Sequence, residues 1–168
     1  MQALLFVDVL KDFEHEDGDR LLGSFRARHA KLVELLSAGR DEGTPVVYAN
    51  DGAGLDVSEL LSRVAEGKGR DLVLEVAPRS GEPVVLKSRY SAFDRTNLAS
   101  LLEGLGTTQL TIAGTATEMC VFLSAIDALR LDLGVTVAAD ACATVDEENE
   151  ALALDYLERV LDVRVVGR

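Results

Sequence analysis

Cys120 is the residue whose surroundings most favour chemistry. It follows the run Leu110-Thr111-Ile112-Ala113-Gly114-Thr115-Ala116-Thr117-Glu118-Met119, which reads as a buried strand, a tight turn of small residues and the opening of a helix. A thiol in the first helical turn sits among unpaired backbone N–H groups at the positive end of the macrodipole, which predicts a lowered pKa and a nucleophile at neutral pH. The N–H groups around Ala116 and Cys120 could also receive an oxyanion. Away from such a turn, a lone cysteine would be read as a small buried hydrophobe.

Two charged residues close apolar runs elsewhere in the chain. Asp8 ends Ala3-Leu4-Leu5-Phe6-Val7, and Lys87 ends Pro83-Val84-Val85-Leu86. A lysine in that position also fits an exposed strand end whose stem covers the core. Taken together, an acid, an amine and a thiol at strand ends form a plausible hydrolytic set. Asp8 would take the thiol proton and return it to a leaving group, Lys87 would hold the charge of Asp8, and Cys120 would attack a carbonyl. The histidines, His15 and His29, read as surface or helix-face residues, so neither is expected to pair with the cysteine.

The elements that would position these groups alternate along the chain. Strands are expected at 3–7, 45–50, 83–86, 109–113, 135–139 and 163–166. Helical patterns occupy the segments between, including Leu21 to Leu36, Leu60 to Val64 behind a Ser58 cap, Leu98 to Leu105 behind a Thr96 cap, about Thr117 to Asp132, and the stretch after Asp146. The apolar face of the cysteine helix is read as Phe122, Ile126, Leu129 and Leu133, and Leu72 to Val76 fits either a helix end or a minor strand. Asn50 to Gly54 reads as a flexible loop over a site. Alternation of this kind predicts parallel βαβ units, a sheet of about six strands covered by helices on both faces, and a site outside the carboxyl ends of the strands. Asp8, Asn50, Lys87 and the turn before Cys120 all fall at such ends.

Length and composition narrow the classes. The 168 residues, 48% hydrophobic, suit a single domain spanning 1–168. Apolar runs are too short to cross a bilayer and the start does not resemble a signal peptide, so no membrane partner and a cytoplasmic location are expected. Two cysteines make no disulfide framework, and Cys142 reads as structural. A net charge of −12 with scattered basic residues argues against nucleic acid.

Three segments in order, Leu5-Phe6-Val7-Asp8 with Asp12-Phe13, Leu86 to Phe93, and Gly114 to Val121, together with Asp140-Ala141-Cys142-Ala143-Thr144, resemble the isochorismatase-like cysteine hydrolases over nearly the whole chain. The resemblance implies a doubly wound (Rossmann-like) α/β fold, assembly as a homodimer or homotetramer, and an Asp/Lys/Cys triad that hydrolyses C–N bonds of small amides. Carried over, the triad is Asp8, Lys87 and Cys120, with a cis peptide joining Thr115 to Ala116. The chain departs from the family where Leu10 replaces a frequent glutamine. In the nicotinamidase branch an aspartate after the second strand holds a metal with nearby histidines. Here Asp51 is followed by Gly52, Ala53 and Gly54, so no metal, no other cofactor and no nicotinamidase activity are expected. True isochorismatases cleave a vinyl ether and can dispense with the cysteine, so Cys120 favours an amidase. Phe13, Asn50, Tyr90 and Phe93 are the candidates for shaping a small-molecule substrate site, ordinary loop packing being the competing explanation for each. The competing function is a small-molecule-binding or oligomeric protein that keeps this fold without the activity.

Overall fold

The computed structural model describes residues 1–52 and 54–168; Ala53, in the loop expected over the site, lies outside the described residues. Six parallel strands, β1 (Gln2–Val7), β2 (Val46–Asp51), β3 (Val84–Lys87), β4 (Gln109–Thr115), β5 (Gly134–Ala143) and β6 (Arg164–Val166), form one sheet in the order β3-β2-β1-β4-β5-β6. The helices between them are α1 (Gly18–Asp41), α2 (Val57–Glu66), α3 (Arg70–Glu75), α4 (Leu98–Gly104), α5 (Phe122–Arg130) and α6 (Glu147–Arg159). The order runs outward from β1 in both directions. Right-handed crossovers therefore place α1 and α5 on opposite faces, and both pack against β5.

Burial on two faces explains the strand composition. Ala3 to Val7 and Val46 to Ala49 are wholly apolar and buried, and Phe6 of β1 stacks on Tyr48 of β2 at 5.6 Å between ring centroids. Alternation would expose half of each strand, and here neither face meets water.

Several local expectations need correction. The cap of α2 is Asp56, whose side chain accepts from the Glu59 N–H while Glu59 reaches back to the Asp56 N–H. Ser58 lies inside the first turn, because this reciprocal box satisfies two end donors at once. Asn97 precedes α4, and Thr96 stands one residue earlier. The Thr96 hydroxyl donates to Ala92 O at 2.6 Å and accepts from Leu98 N at 3.3 Å. Residues 72–76 fall in and just after the short helix α3, whose turn buries Val73 and Val76, three residues apart. The apolar stripe of α5 is only partly buried. The fully buried positions of α5 are the small residues Ser124, Ala125 and Ala128, with Val121 just before the helix. His29 is buried, hydrogen-bonded to Leu72 O at 2.8 Å and tilted against Phe25.

Candidate active site

β1 is the strand from which the order reverses, so the carboxyl ends of β1 and β4 diverge into a crevice. Asp8 stands just past β1 with φ +50°, a left-handed conformation that Asp tolerates better than most residues. Its backbone is held on both sides: Asp8 N donates to Ala49 O at 2.8 Å, and Asp8 O accepts from Thr115 Oγ1 at 2.9 Å. The side chain accepts from Asp51 N at 2.6 Å through Oδ1, leaving Oδ2 for Lys87.

Lys87 ends β3, two strands away from β1. Two interstrand spacings come to about 10 Å, a gap that a long side chain can cross. Lys87 Nζ lies 2.7 Å from Asp8 Oδ2, with the two side chains 2% and 3% exposed. The same ammonium donates to Arg89 O at 2.9 Å and to Cys120 Sγ at 3.7 Å. Burial opposes its charge, but the carboxylate of Asp8 beside it holds its pKa above the usual lysine range.

Cys120 is carried by a π-helical turn, Thr117–Val121, that leads into α5. The turn is fed by Gly114, at φ +136°, where any Cβ would run into the carbonyl of Val7. The register of β4 against β5 shifts at this point, and the following Thr115–Ala116 peptide is cis. The carbonyl of Ala116 accepts from Met119 N at 3.1 Å and Val121 N at 3.2 Å, the N–H groups on either side of that of Cys120. Such π-turns recur at functional sites.

The thiol itself corrects the sequence expectation. Burial pushes its pKa up to about 12, and the neighbouring carboxylate of Asp8 adds to the rise against the opposing charge of Lys87. Desolvation disfavours the thiolate more than the helix end favours it. Cys120 therefore rests as a thiol beside the carboxylate of Asp8. Cys142, wholly buried, is likewise pushed up to about 12 by burial.

These three residues open into a cavity of about 930 Å³, whose wall includes Ala116 and Tyr90. Of the four residues expected to shape the substrate site, only Tyr90 belongs there, 63% exposed at the rim. Phe13 is buried against Phe25 at 5.4 Å; its backbone turns at φ +57° and sends the ring into the core. Asn50 is buried because its amide clasps the Leu10 backbone, accepting from Leu10 N and donating to Leu10 O, each at 2.9 Å. Phe93 is half-buried and packs on the core. Leu10 is likewise buried, so its side chain adds no contact in the cavity.

The walls that sequence reading missed are Met119, Leu123, Ile126 and Arg130 from the cysteine helix, and Lys11, His15 and Arg89 from the loops. Spacings of four, three and four from Met119 put the first group on one helical face. That pattern was available in the sequence once the helix was known to begin beside Cys120. Around Asp51 the donor set does not fit a metal: Asp12 pairs with Arg63 at 2.9 Å, and no group of three His, Cys, Asp or Glu among the described residues could hold one. Among these residues no helix is long and apolar enough to cross a membrane.

The family model of the isochorismatase domain matches residues 2–165. The chain belongs to the isochorismatase family. It is 29% identical to the uncharacterised isochorismatase family protein YaaI of Bacillus subtilis, covering 95% of this chain and 90% of that one. It is 36% identical to the streptothricin hydrolase of Streptomyces noursei, over 87% of this chain and 51% of the relative. Among solved structures, the nicotinamidase PncA of Bacillus subtilis superposes with a TM-score of 0.79 at 26% identity, covering 99% of both chains. This isochorismatase-family chain is a hydrolase, and its six-stranded parallel sheet is the fold of its structural neighbours.

Proposed function

We propose that this isochorismatase-family hydrolase cleaves a C–N bond of a small carboxamide through a thioester on Cys120. The observation that carries the reading is one buried carboxylate, Asp8, beside both the Lys87 ammonium and the Cys120 thiol in the wall of a cavity. As Sγ attacks the carbonyl carbon, the thiol proton passes to Asp8, so no free thiolate has to form in the resting enzyme. The carbonyl π electrons move onto oxygen, where N–H groups of the turn at Ala116 and Cys120 stabilise the charge; one such donor is worth about 3 kcal/mol. Collapse breaks the C–N bond, and the proton on Asp8 goes to the departing nitrogen. Water, deprotonated by Asp8, then attacks the thioester; the carboxylic acid leaves and Sγ recovers its proton. Lys87 stays charged throughout and keeps Asp8 from being expelled as a buried lone anion. The amide-cleaving name of the superposed nicotinamidase and the hydrolase name of the streptothricin relative support this class of reaction. Among the described residues no group of His, Cys, Asp or Glu around Asp51 supplies the donor set of a metal site, so no step is assigned to one.

The test is the intact mass of the protein after brief exposure to a panel of small amides. A transient acyl adduct on the wild type that is absent from Cys120→Ala supports the thioester. Undiminished hydrolysis by Cys120→Ala would overturn it.

A further inference from the structure

A second buried charge lies behind the cysteine turn, in a set of residues that the proposed chemistry does not use. Glu150 of α6 is 7% exposed. Its carboxylate meets Arg28 of α1 with both oxygens, Oε1 to Nη1 and Oε2 to Nη2 at 2.7 Å. Arg28 Nη1 also donates to Cys142 O at the end of β5, at 2.6 Å. The hydroxyl of Thr117 donates to Glu150 Oε1 at 2.7 Å, with Ala143 O at 3.2 Å as a second acceptor in reach. Thr117 is fully buried and is the first residue of the turn that carries Cys120. None of Arg28, Thr117 and Glu150 lines the catalytic cavity; Arg28 and Glu150 line a separate groove.

The turn needs such support. Its π geometry gives one carbonyl, that of Ala116, two N–H partners, a weaker and less regular arrangement than an α-helical start. Side chains hold it to its surroundings on three sides. Glu118 accepts from Thr144 Oγ1 at 2.8 Å, Val145 N at 3.0 Å and Asp146 N at 3.2 Å. Ser124 Oγ donates to Cys120 O at 2.6 Å and accepts from Ala92 N at 2.9 Å. The Thr117–Glu150 contact is the one that involves a buried charge, and apolar residues would fill the same space with less desolvation cost.

We propose that Glu150, held by Arg28, is a positioning residue for the hydrolytic reaction. By fixing the hydroxyl of Thr117 it sets the rotation of the turn, and so the direction in which Sγ and N–H of Cys120 face Asp8 and the cavity. The role rests on the thioester reading above, but its test does not need a substrate.

Thr117→Val keeps the shape of the side chain and removes the hydroxyl, Thr117→Ser keeps the hydroxyl, and Glu150→Gln removes the charge. For each, alkylation of Cys120 by iodoacetamide is followed by peptide mass mapping, alongside thermal unfolding and, where an amide is turned over, kcat and KM. Alkylation and kcat in folded Thr117→Val fall about tenfold or more, with KM little changed and recovery in Thr117→Ser, since a displacement of about 1 Å is enough to cost this. A purely structural pair would lower the unfolding temperature and leave both rates alone, and that result overturns the proposal. If Thr117→Val does not fold, Glu150→Gln decides on the same readings: slowed alkylation supports the role and a wild-type rate overturns it. If the wild type hydrolyses no amide, the thioester reading fails while alkylation still judges the positioning role. If it hydrolyses amides and Thr117→Val alkylates normally, the positioning role alone fails.

Discussion

Two ion pairs, one half-buried and one buried, lie at opposite ends of this sheet and have opposite characters. At the end where β3 begins, Arg40 meets Glu82 through Nε at 2.8 Å and Nη2 at 2.7 Å, with Ala77 O and Tyr48 Oη also within reach of Nη2. Glu82 further accepts from Arg79 N at 2.7 Å. Charge, fork geometry and backbone are matched, and the cluster locks α1 to the segment before β3. At the other end, Lys87 meets Asp8 as a point charge, and the third member of the cluster is a thiol at 3.7 Å from the ammonium, facing a cavity. A bidentate pair is complete as it stands. A carboxylate that a lysine stabilises beside a thiol can accept a proton, so the second pair is the one fitted for chemistry.

The comparison is broken most sharply by Cys120→Ala. Turnover of any amide substrate falls about a thousandfold or more, no acyl adduct is found by intact mass, and the unfolding temperature changes little, because the lost group is small and borders the cavity. Asp8→Asn follows. It removes the base and strands the Lys87 ammonium in the interior, so kcat falls on the order of 10²–10⁴-fold and chemical denaturation shows a loss of about 3–5 kcal/mol. Arg40→Met produces a smaller stability loss, about 1–3 kcal/mol, since it leaves the half-buried Glu82 with Arg79 N as a remaining donor, while kcat and KM of the folded enzyme stay at wild-type values.

The pH dependences should separate the two pairs as well. Desolvation works against the Glu82 carboxylate, but Arg40 and Arg79 N hold its pKa below the ordinary range. A depressed acid contributes stability above its unfolded pKa and loses it as the pH falls through the folded value. Wild-type stability therefore declines on the acid side of the ordinary carboxylate range, and Glu82→Gln flattens that decline in urea titrations. At the Lys87–Asp8 end, a thiol raised to about 12 gives a rate of iodoacetamide labelling at Cys120 that climbs through pH 10 without a plateau near neutrality. A plateau below pH 8 would restore the thiolate expected from the helix end alone. The smallest effect belongs to Phe93→Leu, which trims a ring packed on the core: about 1 kcal/mol of stability is lost in thermal unfolding, and KM is unchanged.

The residue types and their order made the fold and the three reactive groups legible. Uninterrupted apolar runs at Ala3–Val7 and Pro45–Ala49 can be satisfied only by a sheet buried on both faces. Alternation with helical stretches then requires parallel crossovers, and charged residues at the ends of those runs fall at one edge of the sheet. Sequence alone therefore determined that Asp8, Lys87 and Cys120 share a neighbourhood. It did not determine which way side chains near that edge turn. Phe13 and Asn50 lie close to the site in the chain, yet a left-handed backbone sends one into the core and a clasp on Leu10 holds the other. Met119, Leu123 and Ile126 line the cavity because Gly114, the shifted register of β4 and the π-turn set the phase of the cysteine helix. The charge state of Cys120 was also decided by tertiary structure. A helix end acts locally and favours the anion, whereas the depth of burial and the carboxylate of Asp8, over a hundred positions away, depend on packing and outweigh it.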